Sequence, residues 1–380
     1  MPYILIDTPD ALPELERALA PRRRIALDCE AAGFHRYSDR LCLLQLSTED
    51  ETFLIDPLGV DPAAALRPTL EDPDIRVVMH GADFDLRLLA RDLNIGLRGL
   101  FDTQIAAALL GEEGLGLAAL LEKYEGVTLS KAFQRADWAE RPLSPAMLEY
   151  AANDTRYLVS LSERLETMLR ERGRQGWVEE ECSVLVDAVL ARADVPEEPE
   201  DRVTRVKGAR DLTPREVTML REALDWRDDL ARTRDRAPFR VVGDRPLLEV
   251  ALLRPRSVRE LTEIKGFPRR LARDRGHDLL ARLRAVAELE ENELTPYPRA
   301  LRRGPGRPPP ELEEMVERLK EVRNRKADDL GIARGAVLSN AMLLAVAREH
   351  PTSPEALSAV EGMRRWQVEV LGRDLLDILT

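Results

Sequence analysis

Five acidic or phenolic side chains occupy positions where simple geometry can bring them together. Asp28 and Glu30 end the apolar run Ile25–Cys29, and residues two apart on a strand point to the same face. Two carboxylates about 4 Å apart repel each other by about 4 kcal/mol at an effective dielectric constant of about 20. A hard divalent cation such as Mg²⁺ removes that repulsion and prefers carboxylate ligands. The pair is therefore a candidate metal site, although Asp-x-Glu alone is also common as a solvated or structural pair.

Two further groups follow later in the chain. Asp85 comes after the apolar run Arg76–His80, at the predicted start of a helix, where an acidic residue can also serve only the helix N-terminus. Tyr150 and Asp154 are four residues apart, which places them on one face of a helix. Each group alone has an ordinary structural interpretation, and the order of all three is what distinguishes the chain.

The segments around these residues predict the elements that must hold them. Short apolar runs separated by turn-like segments, at Ile25–Cys29, Leu41–Leu46 and Thr52–Ile55, predict an antiparallel meander, and Arg76–His80 predicts a fourth strand. Helical spacing is found at Phe84–Leu93, Thr103–Leu110 and 144–170. Strands followed by strands alternating with helices predict a mixed sheet with helices packed on it.

Capping residues set the expected limits of these helices. We expect Asp83 to cap the first, Asp102 to cap the second with Gly111 as its end, and Ser144 with Pro145 to begin the third.

The second half of the chain contains an internal repeat. At an offset of 96 residues, matches include Arg227 with Arg323, Gly266 with Gly362, and Gly276 with Gly372. Such self-similarity predicts a duplicated helical module. Pro-rich segments at 195–201 and 302–310 are predicted linkers. The predicted domains are a catalytic domain at residues 1–195 and two helical domains at residues 202–295 and 310–380.

Composition limits the class of protein. The net charge of −12 is distributed unevenly, with the acidic excess in residues 1–200 and a local basic excess in residues 231–310, so an acidic site and a phosphate-binding surface can coexist. Three cysteines without a CxxC pair favour a reducing compartment over a disulfide framework or zinc cluster. With no long apolar run or signal-peptide pattern, we expect a cytoplasmic protein that makes no membrane contact.

The three groups in this order resemble the three motifs of the DEDD exonuclease superfamily, tyrosine branch, and most of all the ribonuclease D family. Supporting stretches are Phe34–Tyr37, Leu41–Leu46, Asp102–Gln104 and Asp137–Leu143, and the duplicated half resembles paired HRDC domains. Cys29 stands where the family usually has Thr, and Ala31-Ala32 replace a more polar or aromatic pair. Neither change removes an expected metal ligand.

The resemblance implies a ribonuclease H-like α/β catalytic domain followed by two all-α HRDC-like bundles. It also implies two divalent metal ions, Mg²⁺ or Mn²⁺, bound by Asp28, Glu30, Asp85 and Asp154. Tyr150 is then the residue that orients the attacking water. Two metals about 4 Å apart can generate a hydroxide and stabilise the attacking and leaving oxygens of a phosphoryl displacement.

Expected substrate contacts are less direct. The residues proposed to border or hold RNA are Lys131, Gln134, Trp138, Arg141, Arg227, Lys265 and Arg269. Packing against the catalytic helix is the alternative for Trp138, and solvated surface is the alternative for the HRDC-like cations. His35 and His80 are expected to position neighbours by hydrogen bonds.

The sequence thus predicts a monomeric 3′→5′ exoribonuclease acting on structured RNA such as tRNA precursors and releasing 5′-monophosphates. Polarity and substrate come from the resemblance. Two alternatives remain open at this point: a DNA-directed 3′→5′ exonuclease in repair, and a non-catalytic RNA-binding scaffold.

Overall fold

The apolar runs at the front of the chain form one six-stranded sheet. In chain order its strands are β1 (Tyr3–Ile6), β2 (Arg24–Ala31), β3 (Leu41–Ser47), β4 (Thr52–Ile55), β5 (Arg76–Met79) and β6 (Leu100–Asp102). Their order across the sheet is β1-β4-β3-β2-β5-β6. The computed structural model describes residues 2–193, 201–298 and 309–379.

The sheet is mixed, which confirms the predicted fold class of the front domain. Strands β2, β3 and β4 are consecutive neighbours, as the meander requires, and β3 runs antiparallel to β4 with Leu44 opposite Ile55. The pairs β2–β5, β5–β6 and β1–β4 are parallel. The sequence prediction missed β1, a short edge strand in which only Ile6 is buried.

Contacts divide the chain into two units: residues 1–30, 41–195 and 307–380, and residues 31–40 and 196–306. Helices of the first unit are α1 (Leu12–Leu19), α2 (Ala63–Leu70), α3 (Asp83–Leu93), α4 (Thr103–Leu110), α5 (Leu117–Glu125), α6 (Pro145–Arg156), α7 (Leu158–Glu171) and α8 (Gln175–Ala193). Those of the second unit are α9 (Pro214–Thr233), α10 (Pro238–Val241), α11 (Asp244–Leu253), α12 (Val258–Glu263) and α13 (Arg269–Glu288). The first unit also contains α14 (Pro310–Leu330), α15 (Arg334–Val337), α16 (Asn340–Glu349), α17 (Pro354–Ser358) and α18 (Arg365–Leu379).

The predicted caps are mostly confirmed. Asp102 caps α4 by accepting hydrogen bonds from the backbone of the next turn, and Gly111 ends that helix with a φ of 84°. Ser144 caps α6. The expectation for Asp83 was wrong: Ala82 is the N-cap residue of α3, and Asp83 lies inside the first turn, where it pairs with Arg87.

The helix predicted over 144–170 is two helices, α6 and α7, with a break at Tyr157. The predicted linkers at 195–201 and 302–310 lie largely outside the described residues, so the predicted domain boundaries stay predictions.

The repeat is visible in the folded chain, residue by residue. Arg227 donates to the carbonyl of Val242 in one copy, and its counterpart Arg323 donates to the carbonyl of Leu338 in the other. Both partners are separated from their arginine by the same number of residues. Gly276 of α13 and Gly372 of α18 each lie against a leucine that is itself part of the repeat. The two copies are therefore two examples of one helical bundle, as predicted.

The second copy packs within the first unit, against α8. Trp366 stacks on Trp177 with ring centroids 4.6 Å apart, and its indole nitrogen donates to Glu181 at 2.9 Å. Arg174 donates to the carbonyl of Leu330 at 2.7 Å. Buried aromatic stacking and charged hydrogen bonds are both strong contacts, so this copy is an integral part of the unit that contains the sheet.

The first copy packs with residues 31–40, hereafter the 31–40 loop, which directly follows β2. The Tyr37 hydroxyl donates to Asp228 at 2.9 Å and accepts from Arg232. The backbone of Ala237 donates to the carbonyl of His35 at 3.0 Å. The loop is therefore held by both side-chain and backbone hydrogen bonds to the first copy.

None of the helices in residues 2–193, 201–298 and 309–379 combines the length and apolarity needed to cross a bilayer.

Candidate active site

Strand β2 presents the first two acidic residues from inside the sheet. Its residues Ile25, Ala26 and Leu27 are completely buried, and the strand lies between β3 and β5. A strand flanked on both sides has little freedom to move. The alternation of β2 therefore holds Asp28 and Glu30 side by side on one face.

Asp102 stabilises the turn that precedes Asp85. Asp102, besides capping α4, accepts hydrogen bonds from the backbone nitrogens of Gly81 at 3.0 Å and Ala82 at 2.8 Å. These two nitrogens belong to the turn between β5 and α3, where Gly81 has a φ of 70°. Asp85 follows in the first turn of α3 and is buried. Asp102 is thus a positioning residue, and the sequence indicated only its capping role.

Helix α6 supplies the remaining pair. The hydroxyl of Thr155 lies 2.8 Å from that of Ser47 on β3, which fixes the neighbouring Asp154 against the sheet. The ring of Tyr150 contacts two aromatic rings, Phe133 at 5.8 Å and Trp138 at 6.1 Å between centroids. Tyr150 is therefore held by aromatic packing, and it interacts with the charges of Asp154, Glu30 and Asp28.

These elements border a cleft of about 560 Å³. Its lining includes Asp28, Glu30, His80, Lys131, Gln134, Tyr150 and Asp154. Asp85 does not line the cleft, but its charge acts on Glu30 and is acted on by that of Asp28. The structure therefore brings four of the five predicted catalytic residues to one cavity, and the fifth, Asp85, is buried near enough for its charge to act on Glu30.

The pKa values of the four carboxyl groups are all raised, so each group resists ionisation. Burial, followed by the charges of the other three, raises the pKa of Glu30 to about 10. Burial and Asp28 raise the pKa values of Asp85 and Asp154 to about 8, and burial raises that of Asp28 to about 7. Buried acidic groups that also repel one another are the expected state of a cation site before the cation arrives.

The donor set fits a hard divalent cation. All four groups are carboxyls, the oxygen ligands that Mg²⁺ and Mn²⁺ prefer. Within residues 2–193, 201–298 and 309–379, no three His, Cys, Asp or Glu side chains are already gathered as a closed set of ligands. The four carboxyls are therefore close enough to interact as charges but do not form a closed set of ligands.

Two residues of other types complete the surroundings. The Cys29 thiol donates to Asp85, and burial with three neighbouring carboxylates holds its pKa well above the usual value, so it remains a protonated thiol. His80 exchanges a hydrogen bond with Thr103 at 2.9 Å. Burial lowers the pKa of His80. The hydrogen bond agrees with the positional role expected of this histidine.

The predicted substrate residues of the front domain fall into two classes. Lys131 and Gln134 are exposed and line the cleft. Trp138 is only 1% exposed and packs on Tyr150, which favours the packing alternative. Arg141 binds both oxygens of Asp56, at 2.6 and 2.8 Å, so its guanidinium is engaged inside the domain.

The same division holds for the cations of the first HRDC-like copy. Arg227 is buried, with hydrogen bonds to Val242 and Asp244. Its position favours a structural role over phosphate binding. Lys265 and Arg269 are exposed and remain candidates for RNA contact.

Comparison with known proteins agrees with this geometry. A family model described as a 3′-5′ exonuclease matches residues 3–170, and the HRDC domain model matches residues 218–283 and again 313–379. Ribonuclease D of Pseudomonas paraeruginosa is 31% identical over 357 residues, covering 93% of this chain and 92% of the relative.

Solved structures give the same result. The crystal structure of Escherichia coli RNase D, described as an exoribonuclease involved in structured RNA processing, matches with a TM-score of 0.69 and 29% identity, covering 100% of this chain and 99% of that one. A protein from Bifidobacterium adolescentis matches with a TM-score of 0.83 and 25% identity, covering 100% and 97%.

Sequence, fold and cleft lead to one assignment. The chain is a hydrolytic 3′→5′ exoribonuclease that acts on RNA, in a superfamily whose members use divalent metal ions. It belongs to the ribonuclease D family.

Proposed function

We propose that this exoribonuclease removes nucleotides singly from the 3′ end of structured RNA, such as tRNA precursors, and releases 5′-monophosphates. The observation that carries the proposal is the cleft lined by Asp28, Glu30, Tyr150 and Asp154, with the buried Asp85 interacting electrostatically with Asp28. DNA is the alternative substrate, and the experiment below is designed to exclude it.

Each residue has a part that follows from its place. Asp28, Glu30, Asp85 and Asp154 would hold two divalent ions, Mg²⁺ or Mn²⁺, because four carboxylates balance the four positive charges of two such ions. When bound, such ions supply an activated water and stabilise charge on the attacking and leaving oxygens. Tyr150 lines the cleft and would orient the water. Phe133 and Trp138 support this by fixing the ring of Tyr150.

The remaining assignments concern substrate and context. Lys131 and Gln134, exposed at the cleft, would contact the 3′-terminal nucleotides. Lys265 and Arg269, exposed on the first HRDC copy, would hold backbone phosphates, which favour cations. We further propose that the protein works as a monomer in the cytoplasm.

The test is a time course on a tRNA carrying a short 3′ tail and a label at its 5′ end. With Mg²⁺ or Mn²⁺ we expect a ladder that shortens from the 3′ end and mononucleotide 5′-phosphates as product. EDTA is expected to abolish the ladder. The same sequence made as DNA is expected to shorten much more slowly.

A matched pair of variants on one helix turn provides the control. Asp85→Asn removes a carboxylate of the site, whereas Asp83→Asn removes an exposed carboxylate two residues away that pairs with Arg87. We expect Asp85→Asn to bind the tailed RNA but not to shorten it, and Asp83→Asn to behave as the wild type. Equal loss in both variants, or an intact ladder in Asp85→Asn, would contradict the proposed site.

A further inference from the structure

Two half-exposed aromatic rings meet on the second unit, one from the 31–40 loop and one from the first HRDC copy. Phe34 is 40% exposed and Phe239 is 53% exposed, and their ring centroids are 5.5 Å apart at an interplanar angle of 55°. Large apolar side chains are usually buried. Two adjacent aromatics that keep about half of their surface in water therefore call for a ligand or for a structural reason.

A cation completes the group. The guanidinium of Arg240 lies 4.7 Å from the centroid of Phe34 and 5.9 Å from that of Phe239. Its Nε donates to the carbonyl of Phe34 at 2.8 Å, and one terminal nitrogen lies 3.4 Å from His35. A guanidinium has five donors, so it can be anchored in this way and still reach a phosphate.

The rings are not needed to attach the loop. Hydrogen bonds from Tyr37 to Asp228 and from Ala237 to the carbonyl of His35 already hold the 31–40 loop on the first copy. Neither bond involves a side chain of Phe34 or Phe239. A structural reason for keeping the rings half exposed is therefore weak.

Nor does the HRDC fold need them. The repeat places Gly335 and Ala336 of the second copy at the positions of Phe239 and Arg240, in the equivalent short helix. Nothing lies within 4 Å of the position where a side chain on Gly335 would begin. The bundle forms without an aromatic residue or an arginine at these two positions, so the first copy carries them for another purpose.

We propose that Phe34, Phe239 and Arg240 form a stacking platform for an unpaired base of single-stranded RNA, with Arg240 serving the adjoining phosphate. Flat rings with a cation beside them suit a nucleobase followed by a phosphate, and base–aromatic stacking tolerates every base. Phe34 also follows Glu30 by only four residues, and four residues of extended chain span at most roughly 14 Å. The proposal rests on the proposed function, because it assigns part of the path of the 3′ tail.

The experiment compares binding of intact and abasic RNA tails by the full chain. A tRNA with a ten-nucleotide 3′ tail is labelled, and a set of tails carries one abasic nucleotide at each position in turn. Dissociation constants are measured in EDTA, so that no cleavage occurs. For the wild type we expect an abasic nucleotide at one upstream position to weaken binding by roughly 5- to 100-fold.

The decisive variant is Phe239→Leu, which keeps the apolar bulk but removes the aromatic face. It should bind the intact tail as weakly as the wild type binds the sensitive abasic tail, and it should no longer distinguish the two. Leu253→Ala, at an exposed apolar position of α11 in the same copy, is the control and should retain the wild-type pattern. Hydrolysis of a dinucleotide with Mg²⁺ should be equal in all three proteins.

Two results would overturn the platform. One is a wild type that shows no position-dependent effect, and the other is a Phe239→Leu protein that keeps the full abasic effect. If that variant also had a lowered melting temperature, the rings would serve only to hold the 31–40 loop on the first copy. Loss of dinucleotide hydrolysis in the wild type would instead contradict the proposed function, and the binding measurement would still decide the platform.

Discussion

The burial and mutual repulsion of the active-site carboxyls predict that one of them, Glu30, destabilises the protein when metal is absent. Glu30→Gln is the perturbation, because burial and three neighbouring carboxylates raise the pKa of Glu30 from 4.5 to about 10. An acid whose pKa is raised in the folded state binds a proton that the unfolded state lacks. Glu30 therefore imposes no penalty on folding below pH 4.5, and the penalty grows as the pH rises from 4.5 toward 10.

The magnitude follows from the span between 4.5 and the pH of the measurement. Each pH unit in that span costs the folded state about 1.4 kcal/mol. At pH 7 the cost of keeping Glu30 is therefore about 3.5 kcal/mol, whereas at pH 5 it is below about 1 kcal/mol. Glutamine has nearly the same shape and carries no proton cost, so the variant should recover most of this free energy.

The assay is urea denaturation of the full chain in EDTA, at pH 5 and at pH 7. Glu30→Gln should be more stable than the wild type by about 3 kcal/mol at pH 7 and nearly equal at pH 5. Saturating Mg²⁺ should stabilise the wild type more than the variant, because a metal ion that binds only the folded state adds to its stability. Glu122→Gln, at an exposed position of α5, should change stability by less than about 0.5 kcal/mol at either pH.

The reasoning is refuted if Glu30→Gln is less stable than the wild type in EDTA at pH 7. It is also refuted if the stability difference does not depend on pH, because burial and the neighbouring carboxylates would then not raise the pKa of Glu30 in the folded protein. Either result would mean that the four carboxyls are compensated by something other than a cation.

Three further predictions concern other parts of the chain. Trp366→Ala should lower the free energy of unfolding by about 3–5 kcal/mol, since it removes a buried aromatic residue and its stack on Trp177; an unchanged denaturation midpoint would contradict the packing of the second copy. Arg141→Gln should cost about 2–4 kcal/mol at pH 7. Although burial opposes it, Arg141 holds the pKa of Asp56 below its usual 3.8, so the pair stabilises above that pH, and the two proteins should converge as acid denaturation proceeds below it. Lys265→Glu and Arg269→Glu should each weaken RNA binding and reduce the slope of log K against log salt by about one; a wild-type slope would remove that residue from the phosphate contacts.

The parts of the site that the sequence predicted depend on short-range geometry. Spacings of two on β2 and four on α6 decide which faces Asp28, Glu30, Tyr150 and Asp154 share, and such spacings are visible in the sequence. The double role of Asp102 was not visible. Its cap on α4 is local, but its bonds to Gly81 and Ala82 join residues about twenty positions apart, and no local pattern reports them.

Two arginines that the sequence analysis proposed as RNA contacts, Arg141 and Arg227, instead bind groups of the protein itself. A sequence shows that Arg141 and Arg227 are charged but not which carboxylate or carbonyl they meet, so both were expected at the RNA. For Arg227 a signal did exist. It recurs as Arg323 in a second copy that is otherwise less basic, and a residue kept in both copies of a repeat is more often required by the shared fold than by a ligand.

The stack of Trp366 on Trp177 has a consequence for the history of the duplication. The residue at the same place in the first copy is Arg270, whose side chain is 95% exposed. This position is therefore buried in the second copy and exposed to solvent in the first. The modules have become specialised parts that are no longer interchangeable, and a chimera with their order exchanged would set an arginine on Trp177 and leave a tryptophan in water.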